Sequence, residues 1–110
     1  MNWIDLKDES QLKELAKKSY EKPQVIFKHS SRCGISAMAK GRLERGVAPE
    51  NADFYFLDLI NYRNLSNKVS AEFNVYHESP QILVIKNGEC TYDESHGAIT
   101  MDEIEEQLSL

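Results

Sequence analysis

Three short apolar runs, separated by segments of helical periodicity, constrain the fold of this chain more than any other feature. The runs are Gln24 to Lys28 (QVIFK), Asp53 to Leu59 (DFYFLDL) and Gln81 to Ile85 (QILVI). Runs of this length, rich in β-branched and aromatic residues, predict buried strands. A helix that joins two neighbouring strands of one sheet favours a parallel crossover. The alternation therefore predicts an α/β fold.

Capping signals and apolar periodicity predict four helices. Asp8 and Gln11 have the spacing of a capping box at the start of the first helix, and Thr100 and Glu103 have it at the start of the last. The third helix is predicted from about Tyr62 to Phe73. In these three helices the residues expected to face the core are Leu12, Leu15, Ala16, Leu65, Val69, Phe73, Met101, Ile104 and Leu108.

The second helix is predicted from about Arg32 to Arg45, because Ser30 and Ser31 can cap its start and Gly46 fits its end. This helix opens directly after the strand Gln24 to Lys28, at the edge of the sheet where open α/β folds place their sites. We expect its inner face to consist of the apolar residues at helical spacing, which are Ile35, Met38, Ala39 and Leu43.

The remaining elements complete a sheet. A short strand from Trp3 to Leu6 comes first, and Asn87-Gly88 predicts a hairpin between Gln81–Ile85 and Glu89–Tyr92. The order is strand, helix, strand, helix, strand, helix, hairpin, helix. It predicts a central mixed five-stranded sheet with helices on both faces, in which Asp53–Leu59 is not an edge strand. This is the order of the thioredoxin-like fold, and it uses residues 1–110 as a single domain.

Charge and composition narrow the class of partner. The formal net charge is −5, so no basic stripe is present to bind nucleic acid or an anionic membrane. The first ten residues are acidic without an apolar run, and no segment approaches a membrane span, so we expect a cytoplasmic protein. In that reducing compartment the two distant cysteines, Cys33 and Cys90, are expected to be free thiols, with Cys90 structural.

Cys33 is the candidate catalytic group. It follows a buried strand and opens a helix, whose unpaired N–H groups and dipole favour negative charge. Arg32 is adjacent, and Lys28 and His29 are near in sequence, so positive charge there would favour the nucleophilic thiolate further. A free cysteine is often buried and inert. The position of Cys33 between strand and helix favours the reactive interpretation.

The local motif is Cys33-Gly34-Ile35-Ser36. It has the C-x-x-C spacing of redox proteins, with Ser36 in the second position. A dithiol can attack a disulfide and then resolve the mixed disulfide internally, whereas a single thiol cannot. The motif therefore suits one exchange, in which a small thiol is taken from a modified protein and another thiol regenerates Cys33.

Two further features are expected near this thiol. A proline that opens a strand there can hold the Ser79 backbone free to pair with a substrate, and we expect the Ser79-Pro80 bond to be cis. The loop before the last helix also comes near the cysteine in this fold. Its His96 can tune the thiol or contact a ligand, and a plain solvated histidine fits the sequence equally well. No close pair of metal ligands accompanies Cys33, so no metal site is expected.

Three segments resemble one known family. FKHSSRCGIS, YHESPQILVIKNGE and SHGAIT follow one another as in the YtxJ family of bacillithiol-system redox proteins, which are monothiol bacilliredoxin-like. The resemblance extends from Trp3 to the C-terminus and departs at Gly34, where family members often carry proline. It implies a cytosolic thiol–disulfide exchanger with Cys33 as the active thiol. Its partners would be bacillithiolated proteins and a low-molecular-weight thiol, with bacillithiol as co-substrate and no bound cofactor.

Two other functions remain open at this point. The motif Cys33 to Ser36 also looks like the CGFS motif of monothiol glutaredoxins, which carry iron–sulfur clusters with glutathione. Those proteins have a Gly-Gly pair after the strand that follows the cis-proline, where this chain reads IKNGECTYDE. A thioredoxin-fold adaptor without redox chemistry is the other alternative. Iron content would identify the cluster carrier, and ordinary alkylation kinetics at Cys33 would identify the adaptor.

Overall fold

Five strands and four helices alternate along the chain, and a computed structural model describes all 110 residues. The strands are β1 (Ile4–Asp5), β2 (Gln24–His29), β3 (Asp53–Asp58), β4 (Gln81–Lys86) and β5 (Glu89–Ser95). The helices are α1 (Glu9–Lys18), α2 (Gly34–Arg45), α3 (Arg63–Glu72) and α4 (Met101–Ser109), with a 3₁₀ turn at His96–Ala98. None of the helices has both the length and the apolar character needed to cross a membrane.

The strands form one mixed sheet in the order β1-β3-β2-β4-β5. β1, β3 and β2 are parallel to one another, and β4 is antiparallel to both β2 and β5. β3 lies between β1 and β2, so it is not an edge strand, as predicted. The predicted thioredoxin-like α/β class is therefore confirmed.

Helices cover both faces of the sheet, and alternate residues of β2 contribute to the two cores. Val25 and Phe27 belong to the core beneath α2 and α4, whereas Ile26 belongs to the core beneath α1 and α3. Of the apolar residues predicted to face inward in α1, α3 and α4, all are buried except Ala16, which packs partly buried at the margin. Each strand residue in this part of β2 is thus assigned to one face by the period of two.

Local signals explain where several elements begin and end. The Asp8–Gln11 capping box is formed in both directions, and the Thr100 side chain accepts a hydrogen bond from the backbone N–H of Glu103. At the hairpin turn, φ is +52° at Asn87 and +77° at Gly88. Positive φ at both turn residues is what a two-residue type I′ hairpin requires, and it explains the Asn-Gly pair.

α2 differs from its predicted form. It begins at Gly34 with Cys33 as its N-cap, so Ser30 and Ser31 lie outside the helix and do not cap it. Ile35 and Met38, predicted to face the core, are 53% and 66% exposed. The buried face carries the fully buried Ser36, with Ala39 and Leu43 at helical spacing after it. The prediction was wrong because it assumed that a polar residue would not occupy the inner face.

Candidate active site at Cys33

The thiol of Cys33 lies at the N-terminus of α2, half-buried. The Cys33 backbone is extended (φ −109°, ψ 117°), its N–H donates to the Ser30 carbonyl at 3.1 Å, and its carbonyl accepts from the N–H of Ala37 at 3.0 Å. No side chain caps the helix, and its first turn holds no acidic residue. The positive end of the helix dipole is therefore not offset by a carboxylate next to the thiol.

Three connections meet at this end of the sheet. The last antiparallel pair between β2 and β4 is Lys28 with Gln81, so the β2–α2 connection and Pro80 both lie at the end of the sheet where β2 ends and β4 begins. Gln81 also pairs with Ser95 of β5, and the N–H of His96 donates to the Pro80 carbonyl at 3.1 Å. The topology thus places the loop that carries Cys33, the Ser79-Pro80 segment and His96 at the same end of the sheet.

The Ser79-Pro80 segment has polar groups without partners. Its peptide bond is cis and Pro80 is buried. The Ser79 hydroxyl is buried without a hydrogen-bond partner, and neither its N–H nor its carbonyl forms a hydrogen bond within the protein. The backbone N–H and carbonyl of Ser79 therefore have no partner within the protein, and the hydroxyl is enclosed beside them.

His96 is exposed, and its side chain forms no hydrogen bond with Cys33. Its Nε2 lies 3.9 Å from a carboxylate oxygen of Glu78, and its φ is +57°. The loop that carries it is fixed from α2, because the Arg42 side chain donates to the carbonyls of His96 and Ile99, each at 3.1 Å. The loop is therefore tied both to α2 and to Pro80.

Ser36 is buried, and its hydroxyl bonds to residues other than the cysteine. Its Oγ accepts from the N–H of Ser30 at 3.1 Å and lies 2.8 Å from Nδ1 of His29. The Cys33 thiol forms no hydrogen bond within the protein. His29 was not selected as a site residue from the sequence. The signal was present, since His29 ends the strand and the period of two places it on the face that α2 covers.

The model of the monothiol bacilliredoxin family BrxC matches residues 4–104. This chain belongs to that family. A solved structure described as a candidate oxidoreductase with a thioredoxin fold is 31% identical to it, with a TM-score of 0.80, over 94% of this chain and 90% of that one.

More distant thioredoxins share the fold alone. That of Malassezia sympodialis is 16% identical with a TM-score of 0.75, and that of Schistosoma mansoni is 22% identical with a TM-score of 0.67. Each alignment covers 98% of this chain, and 89% and 94% of the two thioredoxins respectively. The bacilliredoxin family and the fold together assign a thiol–disulfide redox role.

Lys28 does not contribute charge to the thiol of this bacilliredoxin, although it is near in sequence. It is fully buried on the α3 face of the sheet, whereas α2 covers the other face. Its Nζ lies 2.8 Å from Ser70 Oγ and 3.2 Å from Nδ1 of His77, and donates to the Ser66 carbonyl at 3.3 Å. Burial without a carboxylate partner lowers the pKa of Lys28 to about 8.

His29 and Arg32 complete the set of nearby basic residues. The pKa of His29 is lowered, first by burial and then by the Lys40 cation, so the ring is neutral at neutral pH and adds no charge. Arg32, directly before the thiol, is exposed. Of the three basic residues expected near Cys33, Arg32 alone combines a permanent charge with a position beside it.

Cys90 lies at the opposite end of the sheet. It pairs with Ile85, which in turn pairs with Gln24 at the start of β2, whereas Cys33 follows the end of that strand. The ends of a six-residue strand are roughly 16 Å apart at ~3.3 Å per residue, so the cysteines cannot form a disulfide within one chain. Burial raises the pKa of Cys90 to about 11, and its Sγ lies 3.2 Å from the Tyr92 carbonyl.

Gly34 stands where the family resemblance leads us to expect proline. It is the first residue of α2, and a Cβ added to it would meet no atom within 4 Å. The extended backbone of Cys33 is the conformation that a following proline requires. The glycine is therefore not imposed by crowding.

Proposed function

We propose that this chain removes bacillithiol from mixed disulfides on proteins, with Cys33 as its only reacting thiol. The observation that carries the proposal is the placement of the three candidate groups. Cys33 is the N-cap of α2, and no side chain forms a capping hydrogen bond there. Ser36 occupies the position of a resolving cysteine, and Cys90 is at the far end of the sheet. A thiol in this setting can exchange but cannot close an internal disulfide.

The proposed reaction has two exchanges. The Cys33 thiolate attacks the bacillithiol sulfur of a modified protein, a disulfide forms between Cys33 and bacillithiol, and the protein leaves as a thiolate that takes a proton from solvent. The thiolate of a second bacillithiol then attacks the bound bacillithiol sulfur. This step forms bacillithiol disulfide and returns the Cys33 thiolate, so bacillithiol serves as co-substrate rather than bound cofactor.

Two groups support these steps beside the thiol. The N-terminal end of α2 stabilises negative charge on Cys33 both before attack and when it leaves in the second exchange. The unpaired N–H and carbonyl of Ser79 would pair with the backbone of the protein substrate next to its modified cysteine. Arg32, next to Cys33, and His96, next to the Ser79-Pro80 segment, are exposed at the surface where the substrate would bind. Because the chemistry requires reduced thiols, we propose that the protein acts in the cytoplasm.

Mass spectrometry after incubation with oxidised bacillithiol tests this function. The wild type should gain the mass of one bacillithiol at Cys33, the Cys90→Ser variant should gain the same adduct, and Cys33→Ser should gain none. An adduct on Cys90 alone, or no adduct on the wild type, would contradict the proposal. Iron bound to the purified protein together with no adduct would favour the cluster carrier instead.

A further inference from the structure

We propose that His29 is a positioning residue for this exchange: through Ser36 it holds the loop that carries Cys33. This inference rests on the proposed function of Cys33 as the reacting thiol. It concerns a residue that touches neither the thiol nor a substrate, and it therefore predicts effects that act through the loop.

A continuous chain of hydrogen bonds leads from His29 to Cys33. Nδ1 of His29 lies 2.8 Å from Ser36 Oγ, which accepts the N–H of Ser30 at 3.1 Å. The Ser30 carbonyl then accepts the N–H of Cys33 at 3.1 Å. Ser36 is fully buried, so water cannot replace these partners without opening the site. The imidazole ring of His29 thus holds the backbone on both sides of the thiol through these hydrogen bonds.

The donors and acceptors in this chain determine the state of the ring. The Ser36 oxygen already accepts from Ser30, and its hydroxyl hydrogen has no other acceptor than Nδ1 of His29. The hydroxyl therefore donates to an unprotonated Nδ1, and the ring carries its proton on Nε2. Only the neutral form of His29 satisfies both buried groups.

The surroundings of His29 favour this neutral form. Its ring packs against Phe27 and Phe56, with centroids 5.9 and 5.3 Å away. The charged groups that face it are Lys40 and Glu44 from α2 and Asp58 from β3. Burial and Lys40 lower the pKa of His29 below its ordinary value of 6.5, against the opposing effects of Asp58, of a hydrogen bond with the Ser36 backbone and of Glu44.

Protonation would reverse the role of Nδ1 from acceptor to donor. The Ser36 hydroxyl would then lose its acceptor inside a buried site, and the loop from Ser30 to Cys33 would be held less firmly. Thiol reactivity should therefore contain an acid-side loss in addition to the loss of thiolate. A variant in which a side chain that accepts a hydrogen bond but does not titrate replaces His29 should lack this additional loss of reactivity at acid pH.

Three variants in a Cys90→Ser background test the inference. His29→Asn places an amide oxygen near the position of Nδ1 and does not titrate, His29→Leu removes the acceptor, and Ser36→Ala removes the hydroxyl. The readouts are the rate of Cys33 alkylation by iodoacetamide from pH 4.5 to 8 and the rate of exchange with oxidised bacillithiol. Thermal unfolding of each variant identifies any that fails to fold, in which case the other two answer the question.

At pH 7.5 we expect His29→Leu and Ser36→Ala to slow both reactions by about tenfold, since misplacing a reacting group by a fraction of an ångström has effects of this order. The double variant should be no slower than either single one, because both remove the same link. His29→Asn should stay within about threefold of the wild type at that pH. The ratio of wild-type to His29→Asn rates should be constant around neutral pH and fall towards the acid end of the range, because the pKa of His29 is lowered by burial and by Lys40.

Any of three results would overturn the positioning role. The ratio of wild-type to His29→Asn rates could be the same at every pH, the rate losses of the two single variants could multiply in the double variant, or His29→Asn could be as slow as His29→Leu. The alkylation readout does not involve bacillithiol. If the predicted alkylation pattern appears but no exchange with oxidised bacillithiol occurs, the positioning role stands and the proposed function fails. Exchange without the alkylation pattern gives the opposite conclusion.

Discussion

The hydroxyl of Ser36 lies 2.8 Å from Nδ1 of His29 and forms no bond with Cys33, three residues earlier in the motif. In a dithiol protein of the same spacing, position 36 would hold the sulfur that resolves the mixed disulfide. Here the Ser36 hydroxyl is buried, and its hydrogen bonds go to His29 and to the backbone N–H of Ser30. The chemistry of the site therefore depends on a second thiol from outside the chain.

The Ser36→Cys variant tests this dependence. The new thiol would have the C-x-x-C spacing to Cys33 and could attack the mixed disulfide internally. We expect the bacillithiol adduct, which persists on the wild type, to be replaced by a disulfide within the chain. Ser36→Ala is the control, because it loses the same hydroxyl without adding sulfur and should keep the adduct. A persistent adduct on Ser36→Cys would show that position 36 cannot reach the reacting sulfur.

Selective alkylation tests the different environments of the two cysteines. With a pKa of about 11, Cys90 holds roughly three thiolates in ten thousand molecules at pH 7.5. Cys33 should therefore be labelled first by iodoacetamide, and Cys90 labelling should rise about tenfold per pH unit up to about pH 10. Peptide mapping with the Cys33→Ser and Cys90→Ser variants assigns each rate. Faster labelling of Cys90 at pH 7.5 would refute the assignment of Cys33.

Lys28 provides a prediction about stability and pH. Its pKa falls from 10.5 to about 8 on folding, so a buried charge opposes folding fully below pH 8, and that penalty is relieved as the pH rises from 8 towards 10.5. We expect Lys28→Met to be more stable than the wild type at pH 7, by on the order of 2 kcal/mol.

Denaturant unfolding at pH 7, 8 and 9 measures the difference between wild type and Lys28→Met, which should shrink as the pH rises. Lys68→Met is a matched control, since Lys68 is an exposed lysine paired with Glu9. That variant should differ from the wild type by less than about 1 kcal/mol at each pH. A Lys28→Met variant less stable than wild type at pH 7 would mean that the hydrogen bonds of the amine outweigh its burial.

Gly34 should accept proline. The space around its Cβ position is open, it is the first residue of the helix, and Cys33 before it is extended. Because proline also restricts the unfolded chain, Gly34→Pro should raise the free energy of unfolding by about 0.5 to 1 kcal/mol. Gly34→Ala serves as the control for the added Cβ. Destabilisation by proline alone would show that the N–H of Gly34 has a role in the folded protein.

Local signals made much of the fold predictable. The Asp8 capping box, the Asn87-Gly88 turn and the buried strand runs act over a few residues, and their consequences can be derived without tertiary structure. The inner face of α2 could not be derived from apolar spacing. Ser36 is buried there because His29 and the N–H of Ser30 satisfy its hydroxyl, which composition does not reveal.

The site shows the same division. Cys33 was identifiable because its position between a strand and a helix is local. Lys28 was wrongly grouped with it, since nearness in sequence ignores the alternation of side chains between the faces of β2. His29 was missed as a site residue because its role depends on the packing of α2 against the last residue of that strand.

The most direct test of the central claim is a time course of bacillithiol release from a bacillithiolated protein, with free bacillithiol present as the second thiol. The wild type and the Cys90→Ser variant should release bacillithiol at matching catalytic rates and produce bacillithiol disulfide in equal amount. Cys33→Ser should leave release at the rate of the uncatalysed reaction. Release by Cys33→Ser at the wild-type rate, or no release by the wild type above the uncatalysed reaction, would contradict the account.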